Sequence, residues 1–329
     1  MEVRKTKSKF GNKVINDTYI THIKANENDS MNVGSKDDFT IGWSVNEIAR
    51  EFYHVMDEGV FSKARELGIE VIPHDEKGDT TRMITGALDL IDQGIDALVI
   101  SPIEPEAMPI VSDAAREAGI QIVVLDTGYD HADIDAFIVS DSLGGGILVG
   151  EYALELIDKY NITSKNVAII TVEDKFIYAR RRGTGFRNVM EESGYDVVAE
   201  LSGNSNTLDG YLAMKEIFRQ HGDDLAVVFA ENDRMALGAA QAILEEGKTG
   251  QIMLIGFDGE PSALQAIEEG FLQGTIGQNA FEMGELGVET AYKLLTGSPI
   301  AFDDRINKEL YIEVYLIDEN GEVRGRTLV

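Results

Sequence analysis

Short polar side chains stand at the ends of the predicted strands and are the residues best placed to bind a ligand. They are Asn46, Ser101, Asp126, Asp174, Asn232, Asp258 and Gln278. Their amides, hydroxyl and carboxylates make directional hydrogen bonds but carry out no reaction by themselves. Because ligands of open parallel sheets bind outside the carboxyl ends of the strands, we expect this set to converge on one hydrogen-bonding site.

Each of these residues also has a purely structural explanation. Asn232 precedes a predicted helix and fits an N-cap, and Asp258-Gly259 fits a turn. A single position is therefore ambiguous. The site prediction depends on the convergence of such residues from both halves of the chain.

Catalytic and metal-binding patterns are missing from the sequence. The five histidines include no HExxH pair, and no GxSxG motif occurs. The segment GGGILVG (144–150) fails the GxGxxG pattern at Val149, and Gly247-Lys248-Thr249 lacks the earlier glycine of a P-loop. We therefore expect no catalytic residue, no metal site and no cofactor, and a binding protein rather than an enzyme.

The elements that must position the polar residues follow from the apolar periodicity. Short runs rich in Val and Ile alternate with segments of helical period, which is typical of parallel strands buried between helices. We predict strands at 39–45, 69–72, 96–101, 120–125, 136–139, 166–172, 225–230 and 252–257. We predict helices near 47–67, 80–93, 105–118, 142–160, 178–194, 207–220, 233–246, 260–270 and 279–296. The pattern indicates a doubly wound α/β fold with too many units for one sheet, and a domain junction at SDSLGGG (140–146).

Composition and charge exclude several classes of function. The 329 residues hold 58 Asp and Glu against 29 Lys and Arg, a net charge of −29, and no cysteine. Such acidity opposes binding to nucleic acid, and the absence of cysteine excludes disulfides and Cys-ligated metals. No apolar run reaches the ~20 residues of a membrane helix, and residues 1–38 lack the apolar core of a signal peptide. We expect a polar tether at 1–38, with the leader absent from this chain.

Six segments, in order along the chain, resemble the ribose-binding-protein class of periplasmic sugar-binding proteins, whose fold also forms the effector domains of lac-repressor-type regulators. They are VLDTG (124–128), VSDSLGGGILVGEY (139–152), YARRRGTGF (178–186), VVFAENDRMALGA (227–239), LIGFDGEPSALQAIEEG (254–270) and TIGQNAFEMGELGVETAYKLL (275–295). The resemblance covers residues 39 to about 310. It implies two doubly wound parallel-sheet lobes joined by three crossovers. The expected N-terminal lobe is 39–141 plus 279–308, and the C-terminal lobe is 142–278 plus 309–329.

The resemblance also implies roles for particular residues. Phe52 and Tyr53 match the aromatic pair that covers a sugar ring, and Asp126 matches a carboxylate that accepts from sugar hydroxyls. The remaining ligand-binding matches are Arg180, Asn232, Asp258 and Gln278, with Asn46, Arg50 and Asp174 as further candidates. Among the arginines 180–182, motif position favours Arg180 for the ligand and leaves Arg182 a structural role.

The chain departs from this class near the expected site. Arg50-Glu51 stands where Asn and Pro often precede the aromatic pair, and residues 203–206 read GNSN where another aromatic is usual. Arg50 and Asp174 are therefore candidates for shifting the specificity toward an acidic or unusually substituted sugar.

The resemblance implies the solute-binding protein of an ABC sugar importer. We expect a monomer outside the cytoplasm, periplasmic or lipid-anchored, that encloses a monosaccharide between hinged lobes and has membrane permease subunits as partners. Two alternatives stay open. A sugar or furanosyl autoinducer signal could instead feed a chemoreceptor or sensor kinase. A transcription regulator would need an N-terminal helix-turn-helix, and the 38 residues before Phe39 show no two-helix pattern.

Overall fold

The computed structural model describes residues 39–173 and 175–327. The tether expected at 1–38 and the candidate Asp174 lie outside the described residues. Within the described ranges, helices alternate with strands and the strands form two sheets. The α/β fold with two parallel-dominated sheets, predicted from the sequence, is confirmed.

The strands are short and mostly buried. In chain order they are β1 (Thr40–Val45), β2 (Glu70–Asp75), β3 (Ala97–Ser101), β4 (Gln121–Leu125), β5 (Ala136–Ser140), β6 (Asn166–Thr171), β7 (Asp196–Ser202), β8 (Val227–Ala230), β9 (Met253–Asp258), β10 (Gly274–Gly277), β11 (Glu309–Ile312), β12 (Val314–Asp318) and β13 (Val323–Thr327). The first sheet has the order β11-β5-β4-β3-β1-β2 and is parallel throughout. The second has the order β13-β12-β10-β9-β8-β6-β7, in which β12 runs antiparallel to both of its neighbours.

The helices cover the faces of the two sheets. They are α1 (Glu51–Leu67), α2 (Thr80–Asp92), α3 (Met108–Ala118), α4 (Ser142–Lys159), α5 (Ile177–Glu192), α6 (Thr207–His221), α7 (Asp233–Glu245), α8 (Pro261–Glu268) and α9 (Ala280–Leu295). Helices α1, α2, α3 and α9 pack on the first sheet, and α4 to α8 pack on the second. We call each sheet with its helices the first lobe and the second lobe. Local chemistry sets several helix ends: the Asp79 side chain caps the start of α2, and Gly68 ends α1 in the left-handed conformation.

The chain changes sheets at three places. It passes from β5 to α4 at Asp141, from β10 to α9 through Gln278 and Asn279, and from β11 to β12 at Glu313. Residues 309–312, which the sequence analysis assigned to the C-terminal lobe, instead pair with β5 in the first sheet. The stretch 309–318 reads as one continuous strand, so no change in composition marks the crossing.

Each lobe has its own buried core. Trp43, the only tryptophan in the sequence, is fully buried in the first lobe, and its indole nitrogen donates to Asp57 at 2.9 Å. Phe229 is fully buried in the core of the second lobe. In the part of the chain that the structure describes, no helix combines the length and apolar character needed to cross a membrane.

Candidate functional site

The candidate site lies between the lobes, where polar residues that follow strands of both sheets come together. The two lobes touch each other beside it. Tyr178 of α5 packs against a buried cluster of the first lobe, and Lys175 Nζ lies 2.9 Å from the Glu104 carboxylate. The structure therefore brings the two halves of the site within reach of one small ligand.

Tyr53 and Asp126 form the first-lobe half of the site. Tyr53 lies in the first turn of α1, and its hydroxyl donates to Asp126 Oδ2 at 3.1 Å. Asp126 follows β4 with a φ of 68°, and both side chains are buried. Phe52 packs edge-on against Tyr53, with ring centroids 5.3 Å apart. This half thus combines a carboxylate acceptor with aromatic surface, which suits a ring that bears hydroxyl groups.

Arg182, Asp258 and Gln278 form a hydrogen-bonded cluster in the second-lobe half. Arg182 Nη1 donates to Asp258 Oδ1 at 3.1 Å and to the Glu231 carbonyl at 2.7 Å. Gln278 Nε2 donates to the same Asp258 oxygen at 2.7 Å. Asp258 adopts a φ of 126°, a conformation that costs a non-glycine residue energy and recurs at functional sites. Two donors orient this carboxylate through Oδ1, which leaves Oδ2 for a ligand.

The structure places Arg182, rather than the predicted Arg180, in the cluster around Asp258. Arg182 is 2% exposed, and its guanidinium carbon lies 3.7 Å from the centre of the Phe257 ring. Arg180, which the sequence analysis favoured, is exposed on α5. Residues two apart differ by about 200° around a helix, so only one of this pair can face the cleft. The motif identifies the three arginines, but it does not predict which of them faces the cleft, because that depends on how α5 is rotated about its axis.

Asn232 combines the two roles that the sequence left open. Its Oδ1 accepts from the backbone N–H of Met235 at 3.0 Å, so the N-cap explanation is correct. The side chain is nonetheless almost buried, and its Nδ2 donates to no other described residue. Capping therefore fixes the orientation of the amide and leaves its nitrogen available as a donor.

Several buried polar atoms at the site have no protein partner among the described residues. They are Asn46 Oδ1, Ser101 Oγ, Arg182 Nε and Gln278 Oε1. Buried polar atoms in native proteins are nearly always paired, so these atoms indicate a hydroxyl-bearing ligand or water as partner. Asn46 Nδ2 reaches the Pro102 carbonyl only at 3.5 Å, which leaves this amide weakly held.

Arg50 lies at the mouth of the cleft rather than in the cluster. Its Nε donates to Glu47 at 2.6 Å, and its side chain is 38% exposed. A cavity of about 650 Å³ opens beside it. Glu47, Ala49, Arg50 and Glu51 of the first lobe and Arg234, Glu260, Pro261 and Ser262 of the second line this cavity. Arg50 is therefore placed to meet a ligand at the entrance between the lobes.

Burial raises the pKa of both carboxyl groups. The pKa of Asp126 rises from 3.8 to about 6 because of burial, and the nearby charge of Arg182 acts in the opposite direction. Burial likewise raises the pKa of Asp258 to about 7, again opposed by Arg182. Hydrogen bonds from a ligand to these carboxylates would stabilise their ionised forms. Among the described side chains, no three His, Asp or Glu residues are grouped to hold a metal ion.

Close helix packing holds Arg182 in place. A Cβ added at Gly146 of α4 would lie 2.0 Å from the Arg182 carbonyl oxygen, and one added at Gly185 would lie 2.4 Å from the Leu143 carbonyl oxygen. The glycines thus allow α4 and α5 to cross in backbone contact. This contact fixes the part of α5 that carries Arg182. The sequence analysis did not place Arg182 at the cleft, nor Tyr178, which lies one turn before it.

Known proteins resemble this chain in sequence and in fold. A family model described as a periplasmic binding protein domain matches residues 41–299. The ribose import binding protein RbsB of Bacillus subtilis is 31% identical over 269 residues, which are 82% of this chain and 86% of that protein. The protein of the same name from Escherichia coli is 28% identical over 296 residues, 90% of this chain and 97% of that one. An ABC transporter solute binding protein from Bacillus halodurans, solved with bound myo-inositol, has a TM-score of 0.73 at 26% identity, covering 88% of this chain and 97% of its own.

Proposed function

The chain belongs to the periplasmic binding protein family, in its ribose-binding class, and on that premise we propose that it is the solute-binding subunit of an ABC sugar importer. Its ligand is a monosaccharide held between the two lobes. One observation carries the proposal: the Tyr178 ring, whose centroid lies 4.8 Å from the guanidinium carbon of Arg182 in the second lobe, also packs against a buried cluster of the first lobe, so polar groups of the two lobes meet at one cleft. A small polyol bound between these groups contacts both lobes.

The residue types on the two lobes match the chemistry of a sugar. Each sugar hydroxyl can donate one hydrogen bond and accept others, and a ring also presents C–H surface. Asp126 and Asp258 supply acceptors, and Arg182 and Gln278 supply donors. Phe52 supplies aromatic surface. Hydrogen bonds with one charged partner are roughly twice as strong as neutral ones, so these groups favour a hydroxyl-rich ligand over an apolar one.

A ligand that bonds to both lobes stabilises the closed arrangement, because only that arrangement makes both sets of bonds. The closed form is the one that membrane permease subunits distinguish from the empty, open form. The import function in the names of the two RbsB relatives supports this role and a location outside the cytoplasm. The site residues act as hydrogen-bond donors, acceptors and ring surface, which is binding rather than catalysis.

A calorimetric and thermal-shift panel tests the proposal. The panel contains D-ribose, D-allose, L-arabinose, D-glucose, myo-inositol and D-glucuronate, and the protein is first unfolded, dialysed and refolded to remove any bound ligand. At a hundredfold excess over the dissociation constant, one-site binding adds about 2.7 kcal/mol of stability. We expect one compound to raise the melting temperature and to titrate with one site per chain. Absence of any response, with bound ligand excluded by mass spectrometry, would contradict a monosaccharide receptor.

A further inference from the structure

Tyr178 is an aromatic residue of the second lobe that reaches the first. It lies in the first turn of α5, and it packs against a buried cluster of its own lobe that includes Ile170. It also packs against a first-lobe cluster that includes Met83 and Phe137. A side chain that contacts both cores at once lies in the cleft itself.

The Tyr178 ring lies beside the guanidinium group of Arg182 in the candidate site. The guanidinium carbon of Arg182 is 4.8 Å from its centroid. Burial raises the pKa of Tyr178, and the negative charges of Asp126 and Asp258 raise it further. The hydroxyl therefore stays protonated at neutral pH and is available as a donor.

The Tyr178 hydroxyl has no hydrogen-bond partner among the residues that the structure describes. Other tyrosines at or near the sheets do have one. The Tyr53 hydroxyl donates to Asp126 at 3.1 Å, and the Tyr152 hydroxyl donates to the Gln273 carbonyl at 2.8 Å. Tyr178 is partly exposed, so its unpartnered hydroxyl is open to the cleft and can donate to a ligand bound there.

We propose that Tyr178 is a ligand-contacting and specificity-determining residue, whose hydroxyl donates a hydrogen bond to an oxygen of the bound monosaccharide. This inference rests on the proposed function of the cleft. The ring forms part of the second-lobe wall of the site, at the edge where it packs against the first lobe. The residue selects ligands that place an acceptor, either a ring oxygen or a hydroxyl, opposite its hydroxyl. It also links occupancy to closure, because its ring contacts the first lobe only when the lobes are together.

The test compares two substitutions that each remove one tyrosine hydroxyl. Tyr178→Phe keeps the ring and its packing against both lobes. Tyr211→Phe is the matched control, since the Tyr211 hydroxyl donates only to Glu245 at an exposed helix contact. Both variants and the wild type are titrated with D-ribose, D-allose and myo-inositol, and the melting temperature of each ligand-free protein is recorded.

We expect Tyr178→Phe to raise the dissociation constant of the bound sugar about tenfold. The control should match the wild type, and the ligand-free melting temperatures should agree. If Tyr178→Phe binds as tightly as the wild type, the inference is overturned while the proposed function stands. If the wild type itself binds none of the three probes, the proposed function fails for these ligands and the inference falls with it.

Discussion

Arg181 of the second lobe and Glu309 of the first are joined by two parallel hydrogen bonds of 2.8 Å each. Glu309 is 3% exposed and also accepts from the Tyr311 hydroxyl at 2.8 Å. Both bonds cross between the lobes, outside the cluster around Asp258. The pair therefore stabilises the closed arrangement without touching the ligand, and charge-assisted bidentate pairs of this kind are among the stronger hydrogen bonds in proteins.

Glu309→Gln should weaken sugar binding although Glu309 does not contact the sugar. The change removes one charge of the pair between the lobes, so the closed form is less populated before the ligand arrives. The apparent dissociation constant rises by the factor by which the population of the closed form falls, and we expect this factor to be about five. Glu191→Gln is the control, because Glu191 pairs with Arg187 within α5 at 3.7 Å. Calorimetry that gives equal affinities for Glu309→Gln and the wild type would show that the pair does not contribute to closure.

Arg182→Ala should abolish binding, whereas Arg180→Ala should leave it unchanged. Arg182 is buried and hydrogen-bonded to Asp258, so its removal leaves that carboxylate without its charged partner and should cost ~2–5 kcal/mol of binding free energy. Arg180 is exposed on the same helix and serves as the matched control. Arg182→Lys keeps the charge but not the planar fork and should bind weakly. Loss of affinity in Arg180→Ala alone would restore the assignment made from the motif.

Sugar affinity should rise with pH across the range in which the two carboxyls ionise. Burial places the pKa of Asp126 at about 6 and that of Asp258 at about 7 in the ligand-free protein. Sugar hydroxyls that donate to the carboxylates favour the ionised forms, so binding lowers these pKa values and releases protons. We expect the affinity to increase from pH 5 to pH 8 and then to level off. Titrations in buffers of different ionisation enthalpy measure the released protons, and uptake of protons would contradict this account.

The buried carboxyl of Glu76 should make stability depend on pH. Glu76 is fully buried, accepts from Ser44 Oγ and the Ile103 N–H at 2.8 Å each, and has its pKa raised from 4.5 to about 8 by burial. At pH values between 4.5 and about 8, the Glu76 carboxyl is protonated in the folded state and ionised in the unfolded state. The free energy of unfolding therefore falls as pH rises, by at most about 1.4 kcal/mol per pH unit for this group.

Glu76→Gln removes this dependence. A neutral amide replaces the protonated acid, and the Ser44 hydroxyl can turn to accept from it while Ile103 still donates to the amide oxygen. We expect the stability of the variant relative to the wild type to increase steadily from pH 5 to pH 8. Urea unfolding at several pH values measures this difference. A difference that is independent of pH would show that Glu76 is already ionised in the folded protein.

The sequence predicts strands well where they are buried on both faces. It predicts edge strands and the places where the chain changes sheets less well. Runs such as IQIVVL (120–125) and NVAIITV (166–172) are apolar on both faces and correspond to β4 and β6. The edge strand β7 is half exposed, and no apolar run of this kind predicts it. The change of sheet at Glu313 also leaves no signal, because pairing partners far apart in the chain decide it.

The same contrast holds at the candidate site. Asp126 follows β4 and Asp258 is the last residue of β9, and topology alone places strand ends at the cleft. Arg182 and Tyr178 lie on α5, where each residue turns by about 100° relative to the last. Their direction depends on how α5 packs against α4, which is set by the contact between Gly146 and the Arg182 carbonyl. A motif gives residue types and spacing but not that rotation.

The most direct measurement is a calorimetric titration of the monosaccharide identified by the panel into the wild type, Asp126→Asn and Asp258→Asn. These two substitutions change one carboxylate on each lobe with almost no change in shape. The account predicts one site per chain in the wild type, with a dissociation constant of about 1 μM or tighter, and at least about a hundredfold loss in each variant. Binding to the wild type that survives unchanged in either variant would contradict a ligand held between the two lobes.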